Sequence, residues 1–277
     1  MNPSPEQIAF CSWSVQPRRP EDLVRACQEV EIPRVQLALN PLIDNAALWG
    51  DVGEFLASEG ISVISGMFAA AGEDYSTPET IRRTGGIVPD ETWNRNRAMV
   101  EASAHLAKRF GFETITTHIG FIPEEPDDPK FSVVVERTRE IADCFGKVFE
   151  GALCLETGQE SASTLAGFLK AVERPNVFVN FDPANLLLYD MGDPMEALRE
   201  LSSSLGGIHL KDARRGWGQE TRVGDGEVPW EDFFNHLREI EYAGPLVIER
   251  EGGTQRVADI RHARAFTQSM LEKLGSE

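Results

Sequence analysis

Eight short apolar runs recur along the whole chain, and their number constrains the fold more than any other feature. Most of them end in polar residues, and segments with helical periodicity lie between most of them. The runs are IAFCSWSV (8–15), RVQLALN (34–40), ISVISGMF (61–68), TITTHIG (114–120), ALCLETG (152–158), VFVNFDPAN (177–185), GIHLKDA (207–213) and PLVIERE (245–251). Eight strands alternating with helices over about 250 residues are typical of a (β/α)8 barrel. We therefore predict an α/β fold in which residues 1–277 form a single TIM-barrel domain.

Proline and capping residues at the predicted helix starts, and glycine at the helix ends, support this alternation. Pro20 opens one helix. Asp90 is placed to cap a second helix, which Gly111 ends. A third helix is predicted from Pro229 to Gly244, so helices separate several of the predicted strands.

A doubly wound parallel sheet is the alternative fold for this pattern. It usually has fewer strands in this length, and it often carries a glycine-rich turn after the first strand, which this sequence lacks after Val15. The longest irregular stretches, 69–89 and 121–130, follow the third and fourth runs. In a barrel, these stretches would cover the mouth that the carboxyl ends of the strands form.

The chain is strongly acidic, with 27 Lys and Arg against 45 Asp and Glu and a formal net charge of −18. Such a surface repels phosphate backbones and anionic membranes, so neither nucleic acid nor a membrane is an expected partner. No apolar stretch approaches the ~20 residues of a membrane span, and the first ten residues do not resemble a secretory signal. The cysteines show neither CxxC spacing nor disulfide-rich density, which favours reduced thiols in a cytoplasmic enzyme. They are Cys11, Cys27, Cys144 and Cys154.

Acidic residues and one histidine lie at the polar ends of the last four runs. Because alternate residues of a strand share a face, the apolar neighbours can cover the outer layer while these polar residues turn inward at the end where TIM-barrel enzymes place their chemistry. Three buried carboxylates would repel one another and lose solvation, and a divalent cation would relieve both costs. Pairing of each acid with a nearby Arg or Lys is the alternative. The four residues are Glu156, Asp182, His209 and Glu249.

The motifs around these residues resemble those of the xylose-isomerase-like TIM barrels, which include sugar isomerases, ketose 3-epimerases, inosose dehydratases and hydroxypyruvate isomerases. The resemblance covers essentially the whole chain and is strongest in LCLETG, NFDPAN, IHLKDA, VGDGEVPW and LVIERE. It implies one metal ion held by all four residues, and it implies that Glu156 and Glu249 flank the substrate and transfer protons. Three oxygen donors and one nitrogen suit Mn²⁺, Mg²⁺ or Co²⁺, with Zn²⁺ as a further possibility.

Five other residues are candidates for substrate binding. Asn185 stands where the better-known epimerases of this family usually carry a histidine, and an amide can bind a hydroxyl but cannot change its charge. His118 and Trp13, at the ends of the fourth and first runs, are placed to contact a sugar, with core packing or backbone hydrogen bonding as the alternative. Lys211 and Arg222 belong to a locally positive loop after the seventh run, and we expect Arg222 to reach over the mouth.

These observations predict a metal-dependent isomerase or epimerase that acts on a small carbohydrate or hydroxy-carbonyl compound. The reaction would pass through an enediolate, with one glutamate removing the proton and the other returning it. A dehydratase that expels a β-hydroxyl from an inosose-like substrate would use the same site. A Schiff-base aldolase using Lys211 and a non-catalytic sugar-binding barrel are further alternatives, and the sequence is compatible with a homo-oligomer.

Overall fold

Eight parallel strands form a closed barrel in this protein, for which a computed structural model describes residues 3–276. The order around the barrel is β1-β10-β7-β6-β5-β4-β3-β2, and β8 and β9 form a separate antiparallel hairpin. The closed ring confirms the predicted (β/α)8 barrel and excludes a doubly wound open sheet. The strands are β1 (Ile8–Cys11), β2 (Arg34–Ala38), β3 (Ser62–Met67), β4 (Thr114–Thr117), β5 (Ala152–Glu156), β6 (Val177–Phe181), β7 (Leu205–Leu210), β8 (Asp212–Ala213), β9 (Glu220–Thr221) and β10 (Leu246–Ile248).

Helices connect the barrel strands, and most of the predicted helix boundaries lie close to the observed ones. The helix predicted from Pro229 to Gly244 begins as expected but ends at Glu239. One helix begins at Pro20, as predicted, and Gly111 ends another in the left-handed region at φ 78°. The prediction that Asp90 caps that second helix is wrong, because Pro89 is the N-cap and Asp90 is the first helical residue. The helices are α1 (Pro20–Val30), α2 (Asn40–Asp44), α3 (Ala46–Trp49), α4 (Val52–Ser58), α5 (Pro78–Thr84), α6 (Asp90–Phe110), α7 (Pro129–Phe149), α8 (Ala162–Val172), α9 (Pro183–Leu188), α10 (Pro194–Leu201), α11 (Trp230–Glu239) and α12 (Arg256–Ser276).

The main core lies between the strands and the surrounding helices. Leu153 and Leu155 of β5 and Ile208 of β7 belong to this outer core, as their alternation in the sequence predicts. The barrel interior holds a much smaller apolar cluster around Ala9, Cys11 and Val247. The interior therefore has room for polar side chains, which is why the site residues can be buried there.

The hydrogen-bonded strands end earlier than the apolar runs predict. The first run was expected to form a strand to Val15, but β1 ends at Cys11 and a 3₁₀ turn follows it. Asp182 likewise leaves β6 to cap α9, and Lys211 and Glu249 each follow the last residue of a strand. Most of the polar residues thus lie on the first turns beyond the strands, at the mouth of the barrel.

Asp212 anchors the long loop that follows β7. Its carboxylate accepts hydrogen bonds from the backbone N–H groups of Gly224, Gly226 and Val228 and from Nε1 of Trp230, at 2.8–3.2 Å. A Cβ atom on Gly226 would lie 2.1 Å from Asp212 Oδ1, so the turn requires glycine at that position. This anchor holds the β8–β9 hairpin, which the sequence did not predict, against the mouth.

All four cysteines are free thiols, as the sequence predicts. Trp230 is buried in the outer core, as predicted, whereas Trp93 is only partly buried and packs against that core. Within residues 3–276, none of the helices combines the length and the apolar character that crossing a membrane requires.

Candidate metal centre and active site

Four buried side chains converge at the carboxyl ends of β5, β6, β7 and β10. Glu156 is the last residue of β5, and His209 is the fifth residue of β7. One potential ligand atom from each residue lies within 4.8 Å of the corresponding atoms of the others. The structure thus brings together the four residues that were predicted from the sequence to share one site. Its members are Glu156, Asp182, His209 and Glu249.

The short helix α9 orients Asp182. Asp182 is the N-cap of α9, and its Oδ1 accepts hydrogen bonds from the backbone N–H groups of Ala184 at 2.8 Å and Asn185 at 3.1 Å. Pro183 occupies the first helical turn, where its missing N–H costs no hydrogen bond. Oδ2 is buried and has no hydrogen-bond partner among the described residues, and the nearest cation, Nζ of Lys211, lies 3.7 Å from it. The cap thus directs one carboxylate oxygen to the backbone and leaves the other for a ligand.

A glutamine that sequence reasoning missed orients the ring of His209. Nε2 of His209 lies 2.7 Å from Oε1 of Gln36, and Nε2 of Gln36 donates to Oγ1 of Thr116 at 3.2 Å. The Gln36 oxygen can only accept, so Nε2 of the histidine carries the hydrogen. Nδ1 faces the carboxylates, at 2.8 Å from Glu156 Oε1 and 3.4 Å from Glu249 Oε2. Either a proton on Nδ1 or a metal cation satisfies this arrangement.

The electrostatics of the cluster match a site that needs a cation. Burial raises the pKa of Asp182 to about 8; Lys211 opposes this rise, while the carboxylates of Glu249 and Glu156 add to it. Burial also disfavours the ionised form of Glu249, but the attraction of Lys211 and His209 outweighs it and lowers its pKa to about 2. An added divalent cation would favour the ionised form of all three acids.

The donor set fits a divalent metal ion. Three carboxylates and one imidazole nitrogen are available, and the orphaned Asp182 Oδ2 gains a partner if a metal is bound. Hard to borderline cations such as Mn²⁺, Mg²⁺ or Co²⁺ prefer such ligands, and Zn²⁺ accepts them too. Metal-binding histidines usually form a hydrogen bond through the ring nitrogen that does not bind the metal, and in His209 the bond from Nε2 to Gln36 is of this kind.

Each of the two glutamates contacts a different cationic side chain. Nε2 of His118 lies 3.0 Å from Oε2 of Glu156; burial opposes the charge on this imidazole, but Glu156 raises its pKa to about 9. Nζ of Lys211 donates to Oε2 of Glu249 at 2.9 Å and to Oε2 of Glu251 at 2.8 Å. Burial opposes the charge on Lys211, yet these acids raise its pKa well above the usual value. An amine held as ammonium is a poor nucleophile, which disfavours the Schiff-base alternative.

Trp13 and Asn185 complete the predicted set around the carboxylates. Nε1 of Trp13 donates to Oε1 of Glu249 at 2.8 Å, so its indole touches the site instead of only packing in the core. Nδ2 of Asn185 donates to the backbone oxygen of Thr157 at 3.2 Å, and its Oδ1 lies 3.5 Å from Nζ of Lys211. The amide is thus held in place by backbone on one side and faces the cation on the other.

A cavity of about 770 Å³ opens at this end of the barrel. His118, Asn185, Lys211, Trp13 and Glu249 all line it, so four of the five predicted substrate-binding residues meet here. Residues that were not selected from the sequence also line it. Two of them come from the stretch 69–89, which was predicted to cover the mouth, and one ends the eighth apolar run. The residues not selected are chiefly Glu73, Tyr75, Tyr189, Trp217, Glu220 and Glu251.

The expectation that Arg222 reaches over the mouth is not met. Its side chain is 43% exposed and forms an ion pair with Asp225, at 2.8 Å from Nη2 to Oδ2. It is not among the described residues that line the cavity. The predicted turn does exist, but its backbone is anchored on Asp212, and the loop reaches the cavity through Trp217 and Glu220 instead.

A family model described as the xylose isomerase-like TIM barrel matches residues 45–270. The chain belongs to this family. A solved structure of a xylose isomerase domain protein from Planctomyces limnophilus is 32% identical, with 98% of this chain and 97% of that one covered and a TM-score of 0.85. A xylose isomerase-like TIM barrel protein from Mycobacterium smegmatis, solved in complex with magnesium, is 19% identical over 94% of this chain and 91% of that one, with a TM-score of 0.71. The second likeness shows the fold alone.

Among curated relatives, the L-ribulose 3-epimerase of Methylomonas sp. (strain DH-1) is 30% identical over 95 residues. This match covers 34% of the present chain and 30% of that protein. The chain thus matches less than a third of that relative's length. Membership of the xylose isomerase-like family is shown, whereas the reaction and the substrate have to be argued from the site.

Proposed function

We propose that this protein is a divalent-metal-dependent isomerase or epimerase of a sugar or sugar derivative. The observation that carries the proposal is the convergence of two glutamates, an aspartate and a histidine on one buried point at the mouth of the barrel. Sugar epimerases among the relatives of the chain support the same reaction class. A cation held there would act as a Lewis acid toward a carbonyl oxygen of the substrate.

The two glutamates are suited to proton transfer because each contacts a different cationic side chain. Glu249 receives hydrogen bonds from Lys211 and Trp13, which keep it in the carboxylate form that can accept a proton. Glu156 contacts Nε2 of His118 at 3.0 Å, so a proton can pass from the imidazole to Oε2 of Glu156 and on to the substrate. Asn185 and Lys211 line the cavity beside them and are placed to bind hydroxyl or carbonyl oxygens.

The test is a screen of keto-sugars, inososes and keto acids in D₂O with added Mn²⁺, followed by NMR of both product and deuterium incorporation. Glu156→Gln and Glu249→Gln should each lower turnover by ~10²–10⁴ while keeping an oxygen that can bind metal. Calorimetric titration of metal into each variant provides the control. The proposal fails if both variants bind metal and turn over at the parental rate. A product that has lost water would reassign the site to a dehydratase.

A further inference from the structure

The solvent side of the cavity is built from three aromatic side chains and one leucine that the proposed proton transfer does not use. Tyr75, Leu188, Tyr189 and Trp217, here called the outer chamber, line the same cavity as Lys211. The rings of Tyr189 and Trp217 meet edge to face, with their centroids 5.4 Å apart. Tyr75 is 43% exposed and Trp217 is 37% exposed, so these faces lie nearer solvent than the buried carboxylates.

The cavity is larger than a reacting monosaccharide needs. Its volume of about 770 Å³ lies in the upper part of the ~300–1,000 Å³ that ligand pockets for drug-sized molecules span. Within residues 3–276, four large apolar side chains are exposed, and two of them, Tyr75 and Trp217, lie in the outer chamber. Exposed aromatic surface beside a binding site is typical of a surface that a ligand covers.

The charges around the outer chamber disfavour a phosphate as its occupant. Lys211 is the only Lys or Arg that lines the cavity within the part of the chain that is described, and two carboxylates already bind it. Glu73, Glu220 and Glu251 line the same cavity. A phosphate group would therefore meet carboxylates without a free cation, and the repulsion would disfavour its binding.

We propose that the outer chamber is a second subsite, which holds an uncharged ring attached to the reacting sugar. The substrate is then a glycoside whose reacting sugar carries a ketone on a carbon other than the acetal carbon, and not a free or phosphorylated monosaccharide. This inference rests on the proposed function for the reacting end, and it adds the substrate class. Aromatic side chains bind the flat faces of rings through dispersion and through contacts with the edges of their π systems. Trp217 and Tyr189 offer such faces, with their ring planes inclined at 63° to one another.

The test is calorimetric binding of matched ligands to the Mn²⁺-loaded protein. Methyl β-D-glucoside and phenyl β-D-glucoside share the sugar that enters the inner end and differ only in the group that reaches the outer chamber. Neither carries a ketone, so both report binding without reaction. We expect the phenyl compound to bind about tenfold more tightly. Cellobiose tests a sugar as the second ring. Tighter binding of cellobiose than of the methyl compound identifies the occupant of the outer chamber as a saccharide, and tighter binding of the phenyl compound alone identifies it as an aryl group.

Variants of Trp217 locate the effect. Trp217→Ala should remove the preference for the phenyl compound, whereas Trp217→Phe should keep much of it. Leu48→Ala is the matched control, since it truncates another exposed apolar side chain that lies outside the cavity. The proposal would be overturned if the methyl and phenyl compounds bound equally and cellobiose bound no more tightly than the methyl compound. It would also be overturned if fructose 6-phosphate bound more tightly than the phenyl compound. These binding results do not depend on turnover, so they are separable from a failure of the glutamate variants.

Discussion

Glu160 is a buried carboxyl whose ionisation should weaken the fold as the pH rises. It follows β5 and is only 6% exposed. Burial raises its pKa from 4.5 to about 8, against the opposing attraction of His118. Because the folded pKa is raised, the folded state keeps a proton between these two values that the unfolded state has lost. The free energy of unfolding should therefore be highest below about pH 4.5 for this group and should fall as the pH rises toward 8.

The magnitude follows from the interval between the two pKa values. At 1.36 kcal/mol for each pH unit, an interval from 4.5 to about 8 corresponds to about 5 kcal/mol. Glu160→Gln removes the titration and keeps an uncharged side chain of the same shape. The difference in unfolding free energy between the variant and the parent should accordingly shift by about 3 to 5 kcal/mol in favour of the variant across this range.

Urea unfolding at several pH values, with a chelator present throughout, measures this difference. The chelator keeps pH-dependent metal binding from contributing to the slope. Glu124→Gln is the matched control, since Glu124 is exposed in the loop before α7, and this variant should follow the parent at every pH. His118 has a raised pKa and adds stability that is lost as the pH passes from 6.5 to about 9. This contribution is present in the parent and in both variants. A parent-to-Glu160→Gln difference that does not change with pH would refute the reasoning.

Three predictions concern the metal centre. Asp182→Asn should weaken metal binding at least ~10-fold in calorimetric titration with little change in the apo stability, because asparagine also caps helices. Gln36→Met should weaken metal binding by ~10–100-fold by releasing the ring of His209, while unchanged affinity would mean that the ring needs no such support. Removal of metal by a chelator should lower the thermal midpoint by about 5–10 °C relative to protein with metal at ~100 times its Kd, and an unchanged midpoint would argue against a bound ion.

Sequence periodicity was sufficient for the barrel because parallel strands buried on both sides leave a clear record of apolar runs. The same alternation placed Glu156 and His209 inward, and both are buried in the cluster. The exact strand ends were not predictable. Asp182 belongs to an apolar run but caps α9, since a side chain that binds two backbone N–H groups competes with continuation of the strand.

Contacts between distant segments explain what the sequence left out. Gln36 lies 173 residues from His209 along the chain, and one glutamine in a five-residue strand carries no local mark of its role. Arg222 failed for the opposite reason. Its guanidinium forms an ion pair with Asp225, three positions away. Counting local charges does not reveal which acidic residue a long basic side chain will contact.

The buried carboxylates of the site are held in place in two different ways. The backbone of α9 holds one oxygen of Asp182, which keeps that group in place whether or not it is charged. Glu156 and Glu249 have no such cap and depend on the side chains of His118 and Lys211. Asp182 is therefore suited to a constant role as a ligand, whereas the two glutamates sit where partners can exchange protons with them. This division supports the proposal that the glutamates, and not the aspartate, form the acid–base pair.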